Sequence, residues 1–230
     1  MSLSHQMNHN QLAGHLLDVL RCSPRITILM SGVGTNAGRL LASHWDYCRY
    51  QFISIFADRP GTGARVLAKH HGMSLFEPEQ RLDSDRLTQE LSRWLEHTRT
   101  EMLLCAGFMR VLPDNICLYW PGLNVHPADL TIRLPDGSAR YGGLQAVPKV
   151  IADSQLFVRA SVHLIRNPVD DGMVISTSRP LWINAAMKEN PRVLHAKLRQ
   201  EREHRLYPAT LNFLHDNDAN VSDFPLRDLA

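Results

Sequence analysis

The most constraining feature of the sequence is a pair of short apolar runs that each end in polar groups. One is Leu103-Leu104-Cys105-Ala106-Gly107-Phe108-Met109-Arg110, the other Gly122-Leu123-Asn124-Val125-His126-Pro127. Apolar runs of this length, bounded by glycine and proline, predict strands of a parallel sheet buried on both faces. Open sheets of that kind carry their chemistry at the carboxyl ends of the strands. Arg110, Asn124 and His126 are therefore expected at one edge, with Pro127 fixing the turn just after His126.

The rest of the chain alternates in the same sense. Strands are expected over 25–31, 51–57, 73–76, 102–106 and 122–126. Helices are expected over 37–44, 63–71 and 84–97, the last capped by Ser84 with acids in its first turn. Such alternation specifies an α/β fold with a doubly wound, mostly parallel sheet. Residues 128–141 form a long polar connection, of a length that is usually functional or mobile. A helix over 142–152 is expected to be kinked or interrupted at Pro148. A strand over 157–165 and a return over 173–178 pair antiparallel. Asn190-Pro191 is a cap followed by proline at the first helical position, and the helix runs over 192–207 until Pro208 kinks it. Leu12, Leu16, Leu17 and Leu20 make an amphipathic helix within 10–22, expected to pack on the domain. The organisation read from this is a helical extension over 1–24, one α/β domain over 25–216 and a loose polar tail over 217–230.

The chain has 230 residues, enough for one large core. Its net charge of +2 offers no strong field for nucleic acid or a membrane surface. No apolar run approaches the length needed to cross a bilayer, and the N-terminus lacks the apolar stretch of a signal peptide. Cys22, Cys48, Cys105 and Cys117 are widely spaced and form no C-x-x-C, which favours a reducing cytoplasm and argues against a zinc ribbon.

Gly32-Val33-Gly34-Thr35-Asn36 joins a strand to a helix, an arrangement that suits an anion. It reads in three ways: a small-phosphate site, a structural turn, or a dinucleotide loop. Gly32, Gly34 and Ala37 satisfy the G-x-G-x-x-G/A pattern, and Asp58 lies near the end of the next strand, where a ribose-binding acid belongs. The last reading makes the chain an NAD-binding oxidoreductase, but leaves Asn124 and His126 unexplained.

Asn124 and His126 are two apart on one strand and share a face. An amide donor and an imidazole on one face suit a developing oxyanion. Asp170 or Asp171 could supply the carboxylate that orients the imidazole. His163 reads as a packed strand histidine. A metal site from His126, His163 and Asp170 is allowed by residue type, but no local ligand spacing supports it.

SGVGTN, LLCAGFMRVL, GLNVHPADL and ASVHLIRNPVDDGMVI together resemble the phosphoribosylglycinamide formyltransferase family, in consistent order from about residue 25 to 214. The resemblance implies the formyltransferase fold and transfer of a formyl group from 10-formyltetrahydrofolate to an amine. Residue by residue, it implies Asn124, His126 and Asp170 as catalytic. Phe108, Met109, Arg110, Leu112 and Asp170 would line the folate pocket. Gly32, Gly34, Thr35, Asn36, Gln200 and Glu203 would hold the acceptor, with glycinamide ribonucleotide as the acceptor implied. It implies no metal; the expected partners are folate and a small amine, with no nucleic acid or membrane, and a homodimer is compatible with it. The family usually continues H-P-S-L-L-P into a short loop. Here Ala128-Asp129-Leu130 leads into an enlarged loop, and Asp170-Asp171-Gly172-Met173 replaces D-G-G-P. These departures leave open a different amine, such as an amino sugar. A catalytically dead folate- or nucleotide-binding module is the non-enzyme alternative.

Overall fold

The fold is described from a computed structural model and covers residues 8–43, 50–216 and 220–230. Helix α1 (His9–Leu20) begins at Asn8, whose side chain accepts from the Gln11 N–H while Gln11 accepts from the Asn8 N–H. This reciprocal cap satisfies two otherwise orphaned donors. Leu12, Ala13, Leu16, Leu17 and Leu20 are buried in the main core, so the extension packs on the domain as expected. Gly14 sits inside this helix with nothing within 4 Å of where a Cβ would stand. Gly14→Ala is therefore expected to raise stability by about 0.5–1 kcal/mol, read as a higher denaturation midpoint at unchanged m-value.

The α/β body then follows in chain order: β1 (Arg25–Met30), α2 (Thr35–Leu41), β2 (Gln51–Ala57), α3 (Ala64–His71), β3 (Ser74–Phe76), α4 (Ser84–His97), β4 (Met102–Cys105), α5 (Asp114–Tyr119) and β5 (Gly122–His126). Residue 44, the expected end of the second helix, lies outside the described residues, as does Cys48. The cap of α4 is Asp83, one residue before the expected serine, and it accepts from the Arg86 N–H at 2.8 Å. The six-residue α5 shows no periodic signal in the sequence; it is too short for one.

Beyond β5 come α6 (Ala146–Ala152), β6 (Phe157–Val158), β7 (Ser161–Leu164), β8 (Val174–Thr177), β9 (Leu181–Trp182), α7 (Ala185–Glu189), α8 (Pro191–Leu198), a π-helical turn (Arg199–Glu203) and α9 (His204–Asp216). The sheet has seven strands in the order β3-β2-β1-β4-β5-β7-β8. The first five are parallel, and β7 and β8 are antiparallel, as expected for the return strand. The fold is thus α/β with a mostly parallel sheet.

Four expectations are corrected. The strand over 157–165 is two strands: β6 pairs with β9 in a separate sheet, and β7 joins the main one. Between them the Ala160 N–H leaves the ladder and bonds the Ser178 hydroxyl. Helix α6 starts later than expected, and Pro148 lies in its first turn, where its missing N–H costs nothing, so no kink results. The helix expected over 192–207 is capped by Asn190 but widens into the π-turn at Arg199–Glu203, and Pro208 sits inside α9 one turn later. Finally, the tail is not loose where it is described. The Leu226 N–H bonds Ile175 O and the Thr177 N–H bonds Leu226 O, so the tail covers the free edge of β8. Among the described residues, no helix is long and apolar enough to cross a membrane.

Candidate active site

The parallel strands β1, β4 and β5 end side by side, and their exits are tied together. The Ser31 N–H bonds Gly107 O, and the Met109 N–H bonds the Ser31 hydroxyl at 2.9 Å. On β5, Asn124 and His126 point the same way, and antiparallel pairing sets His163 of β7 directly opposite Asn124. Asp170 reaches the same place from the turn after β7. It adopts φ 59°, a left-handed conformation that aspartate tolerates better than most residues.

These groups form one network. His126 Nδ1 lies 3.3 Å from Asp170 Oδ2, and His163 Nε2 lies 3.4 Å from Asp170 Oδ1. Asn124 Nδ2 is 3.0 Å from His163 Nε2. His126 Nε2 is 2.8 Å from Tyr141 O, and His163 Nδ1 is 2.9 Å from Leu164 O. Carbonyl oxygens only accept, so these two nitrogens carry the ring protons. His163 Nε2 is then free to accept from Asn124. His126 Nδ1 gains a proton for Asp170 only as an imidazolium. His126 and Asp170 are 4% and 7% exposed. Burial holds the His126 pKa below the ordinary histidine value, against the pull of the Asp170 carboxylate. For Asp170, burial alone would raise the pKa. The hydrogen bond and charge that the His163 and His126 rings offer once protonated, with the Gly143 N–H, outweigh it, and hold the carboxyl well below the usual range.

The enlarged loop does more than connect. Arg133 and Ala139 form a β-bridge, and Arg133 Nη1 donates to Asp171 Oδ1 at 2.6 Å. Its end supplies Tyr141 O to His126 and the Gly143 N–H to Asp170 at 2.7 Å. The sequence offered no signal for those two backbone contacts, because they belong to no side-chain type. It also left His163 as a packing residue. The signal that could have found it is register: on an antiparallel neighbour, a histidine opposite Asn124 must share its face.

On the glycine-loop side, Gly34 takes φ 81°, a left-handed conformation that glycine adopts without the strain a Cβ would bring. Thr35 follows as the first residue of α2. Asn36 is buried, and its Nδ2 donates to Glu203 Oε2 at 2.7 Å. Among the described residues, Asn36 Oδ1 and Glu203 Oε1 are buried with no hydrogen-bond partner. Gln200 lies on the same π-turn and is exposed. Burial pushes the Glu203 carboxyl up to about 7, against the Asn36 hydrogen bond and the Arg199 charge. Its folded pKa lies above the ordinary glutamate value of 4.5. The stability that this group contributes is therefore full at acid pH and lost as pH rises through 7. Glu203→Gln, always neutral, is expected to exceed the parent by on the order of 2 kcal/mol near pH 8 and to match it near pH 4.5, measured by urea denaturation at both values.

On the other side, Phe108, Arg110, Leu112, Asn124, His163 and Asp170 line a cavity of about 70 Å³ with Arg166 and Val169. Met109 is half exposed and is absent from that lining. The Arg110 guanidinium turns away, donating to Leu82 O at 2.6 Å and lying 3.6 Å from Asp58. Asp58 is fully buried and gripped at 3.1 Å by both Arg59 Nε and Nη2. A ribose hydroxyl has no access to it, which removes the support for the dinucleotide reading. Among the described residues, no group of three His, Cys, Asp or Glu side chains is placed to hold a metal ion.

A largely buried Asn-His-Asp cluster thus lies at the carboxyl ends of a parallel sheet, beside a glycine loop, where open α/β folds carry their chemistry. The formyl transferase family matches residues 24–211, and the chain belongs to that family. The trifunctional purine biosynthetic protein adenosine-3 of Gallus gallus is 24% identical over 205 residues, covering 86% of this chain and 19% of that protein. The chain thus spans about a fifth of the length of that relative. The phosphoribosylglycinamide formyltransferase of Bacillus subtilis is 22% identical over 198 residues, covering 83% of this chain and 94% of that one. Among solved structures, the phosphoribosylglycinamide formyltransferase of Bacillus halodurans superposes with a TM-score of 0.69 at 24% identity, over 86% of this chain and 98% of that one. Glycinamide ribonucleotide transformylase 1 of Geobacillus kaustophilus gives 0.69 at 23% identity, over 84% and 98%. These likenesses establish the fold.

Proposed function

We propose that this protein transfers a formyl group from 10-formyltetrahydrofolate to the amine of a small phosphorylated acceptor, with glycinamide ribonucleotide as the first candidate. The observation that carries the proposal is the convergence of Asn124, His126 and Asp170 in one buried network. The amine lone pair attacks the formyl carbon, forming the new C–N bond. Asn124 Nδ2 and His126 Nε2 donate to the resulting oxyanion. As the tetrahedral intermediate collapses, the bond from carbon to the folate nitrogen breaks, and the proton lost by the amine passes to that nitrogen. Asp170 holds the imidazolium form of His126 while this occurs. His126 Nε2 is bound to Tyr141 O and Asn124 Nδ2 to His163. On this mechanism His126 Nε2 exchanges Tyr141 O for the formyl oxygen.

The folate would enter on the other side of the network, where the cavity of about 70 Å³ has to widen to admit it. Phe108, Val111, Leu112, Ile165 and Val169 give apolar walls, and Arg166 Nη1 is buried there without a hydrogen-bond partner among the described residues. Planar heterocycles with carbonyl edges suit such a site. The enlarged loop favours a second reading, in which the donor is the same and the acceptor is another small amine. Incubation with 10-formyl-5,8-dideazafolate and glycinamide ribonucleotide, followed by absorbance, is expected to show loss of the formyl group that depends on the acceptor. Tight folate binding without transfer to this acceptor would keep the donor and move the acceptor to another amine. Absence of folate binding would reject the proposal.

A further inference from the structure

A cleft of about 750 Å³ opens between α2 and the π-turn that joins α8 to α9. Its walls include Thr35 and Gln200, both expected at the acceptor, so it continues the glycine-loop side of the site. Beyond them it is lined by Arg39 from α2 and by Arg199 and Arg205 from the opposite wall. Each of these arginines lacks an ion-pair or side-chain hydrogen-bond partner among the described residues. The acid in the lining, Glu201, is engaged with Lys197 at 3.6 Å and Arg202 at 3.9 Å. His204 shares the lining, and its buried Nε2 has no hydrogen-bond partner among the described residues. Burial, then the Arg199 and Arg39 charges, lower its pKa, so both walls act on the same point.

Three guanidinium forks that make no close ion pair among the described residues border one cleft, and an anion placed there would meet charge-assisted donors from both walls. The chain as a whole carries a formal charge of only +2, so the concentration is local. A single phosphate would leave most of this volume and most of these donors unused. Pockets of roughly 300–1,000 Å³ hold whole organic ligands.

We infer that this cleft is a second anion subsite of the acceptor site, built for a diphosphate or a further phosphate beyond the one nearest the glycine loop. The acceptor is then a polyanionic amine of the nucleoside-diphosphate kind, which favours the second reading of the acceptor over glycinamide ribonucleotide, whose single phosphate would leave this subsite unfilled. This inference rests on the formyl-transfer reading for the word acceptor; the anion subsite itself rests on the cleft.

The test is calorimetry with inorganic pyrophosphate and orthophosphate as probes at fixed ionic strength, on the full chain and on Arg39→Ala and Arg205→Ala. Both side chains are exposed, so truncation leaves the core untouched. Pyrophosphate is expected to bind at least about tenfold tighter than orthophosphate, and each substitution to weaken it by about fivefold or more, the scale of losing a charge-assisted hydrogen bond. Equal binding of the two anions, or pyrophosphate binding indifferent to both substitutions, overturns the subsite. Affinity for 10-formyl-5,8-dideazafolate is measured on the same samples. Folate binding without a pyrophosphate preference removes the subsite and leaves formyl transfer standing. A pyrophosphate preference that depends on the arginines, without folate binding, keeps the subsite and removes formyl transfer.

Discussion

On the proposed mechanism, His126→Ala is expected to lower the turnover of formyl transfer by about 1,000-fold while leaving folate affinity within a few-fold, because one oxyanion donor contributes roughly 100- to 1,000-fold and the ring also serves the proton transfer. Asp170→Asn falls by a comparable factor for a different reason. Asp170 Oδ2 accepts from the Gly143 N–H and faces His126 Nδ1, while Oδ1 faces His163 Nε2. An amide removes the charge that supports the imidazolium. The variant should therefore carry a His126 whose pKa is lower still, since Asp170 is what opposes burial there. Single-turnover kinetics and an NMR titration of the His126 ring separate the two effects. Full activity in either variant, with the fold intact, would sink the assignment of this network to catalysis.

The second large effect is structural. Gly172 follows Asp170 by two residues, and a Cβ on it would stand 1.9 Å from Leu164 O and 2.8 Å from Leu164 C. Both are backbone atoms of β7, which is held between β5 and β8 and cannot retreat without breaking the ladder. Gly172→Ala is expected to cost about 3 kcal/mol of stability, at the upper end of the overpacking range. Because the turn must shift, Asp170 moves away from His126, and turnover falls with it. Urea denaturation and the formyl-transfer assay on the refolded variant read these separately. An unchanged midpoint would show that the turn can rearrange, and that the approach of Gly172 to Leu164 is not what positions Asp170.

Local signals were strong where covalent geometry alone carries them. The strands over 51–57 and 122–126 and the helix over 84–97 match the observed elements residue for residue. The cap at Asn190 is where the Asn-Pro pair placed it. Signals failed where one residue left its pattern for a partner far away. The break between β6 and β7 follows from a hydrogen bond between Ala160 and Ser178. The described part of the tail, polar by composition, is ordered because β8 needs an edge partner.

The sequence by itself determined the α/β class, the mostly parallel sheet and the shared face of Asn124 and His126. Each follows from a period of two or 3.6 residues, which the backbone imposes whatever lies nearby. Tertiary structure alone decided that Asp170, His163, Tyr141 O and the Gly143 N–H meet at His126. It also decided that Arg110 lies against the buried Asp58, and that three arginines share one cleft. Those choices depend on strand order, register and the paths of loops, which are set by contacts between residues distant in the chain and carry no local period.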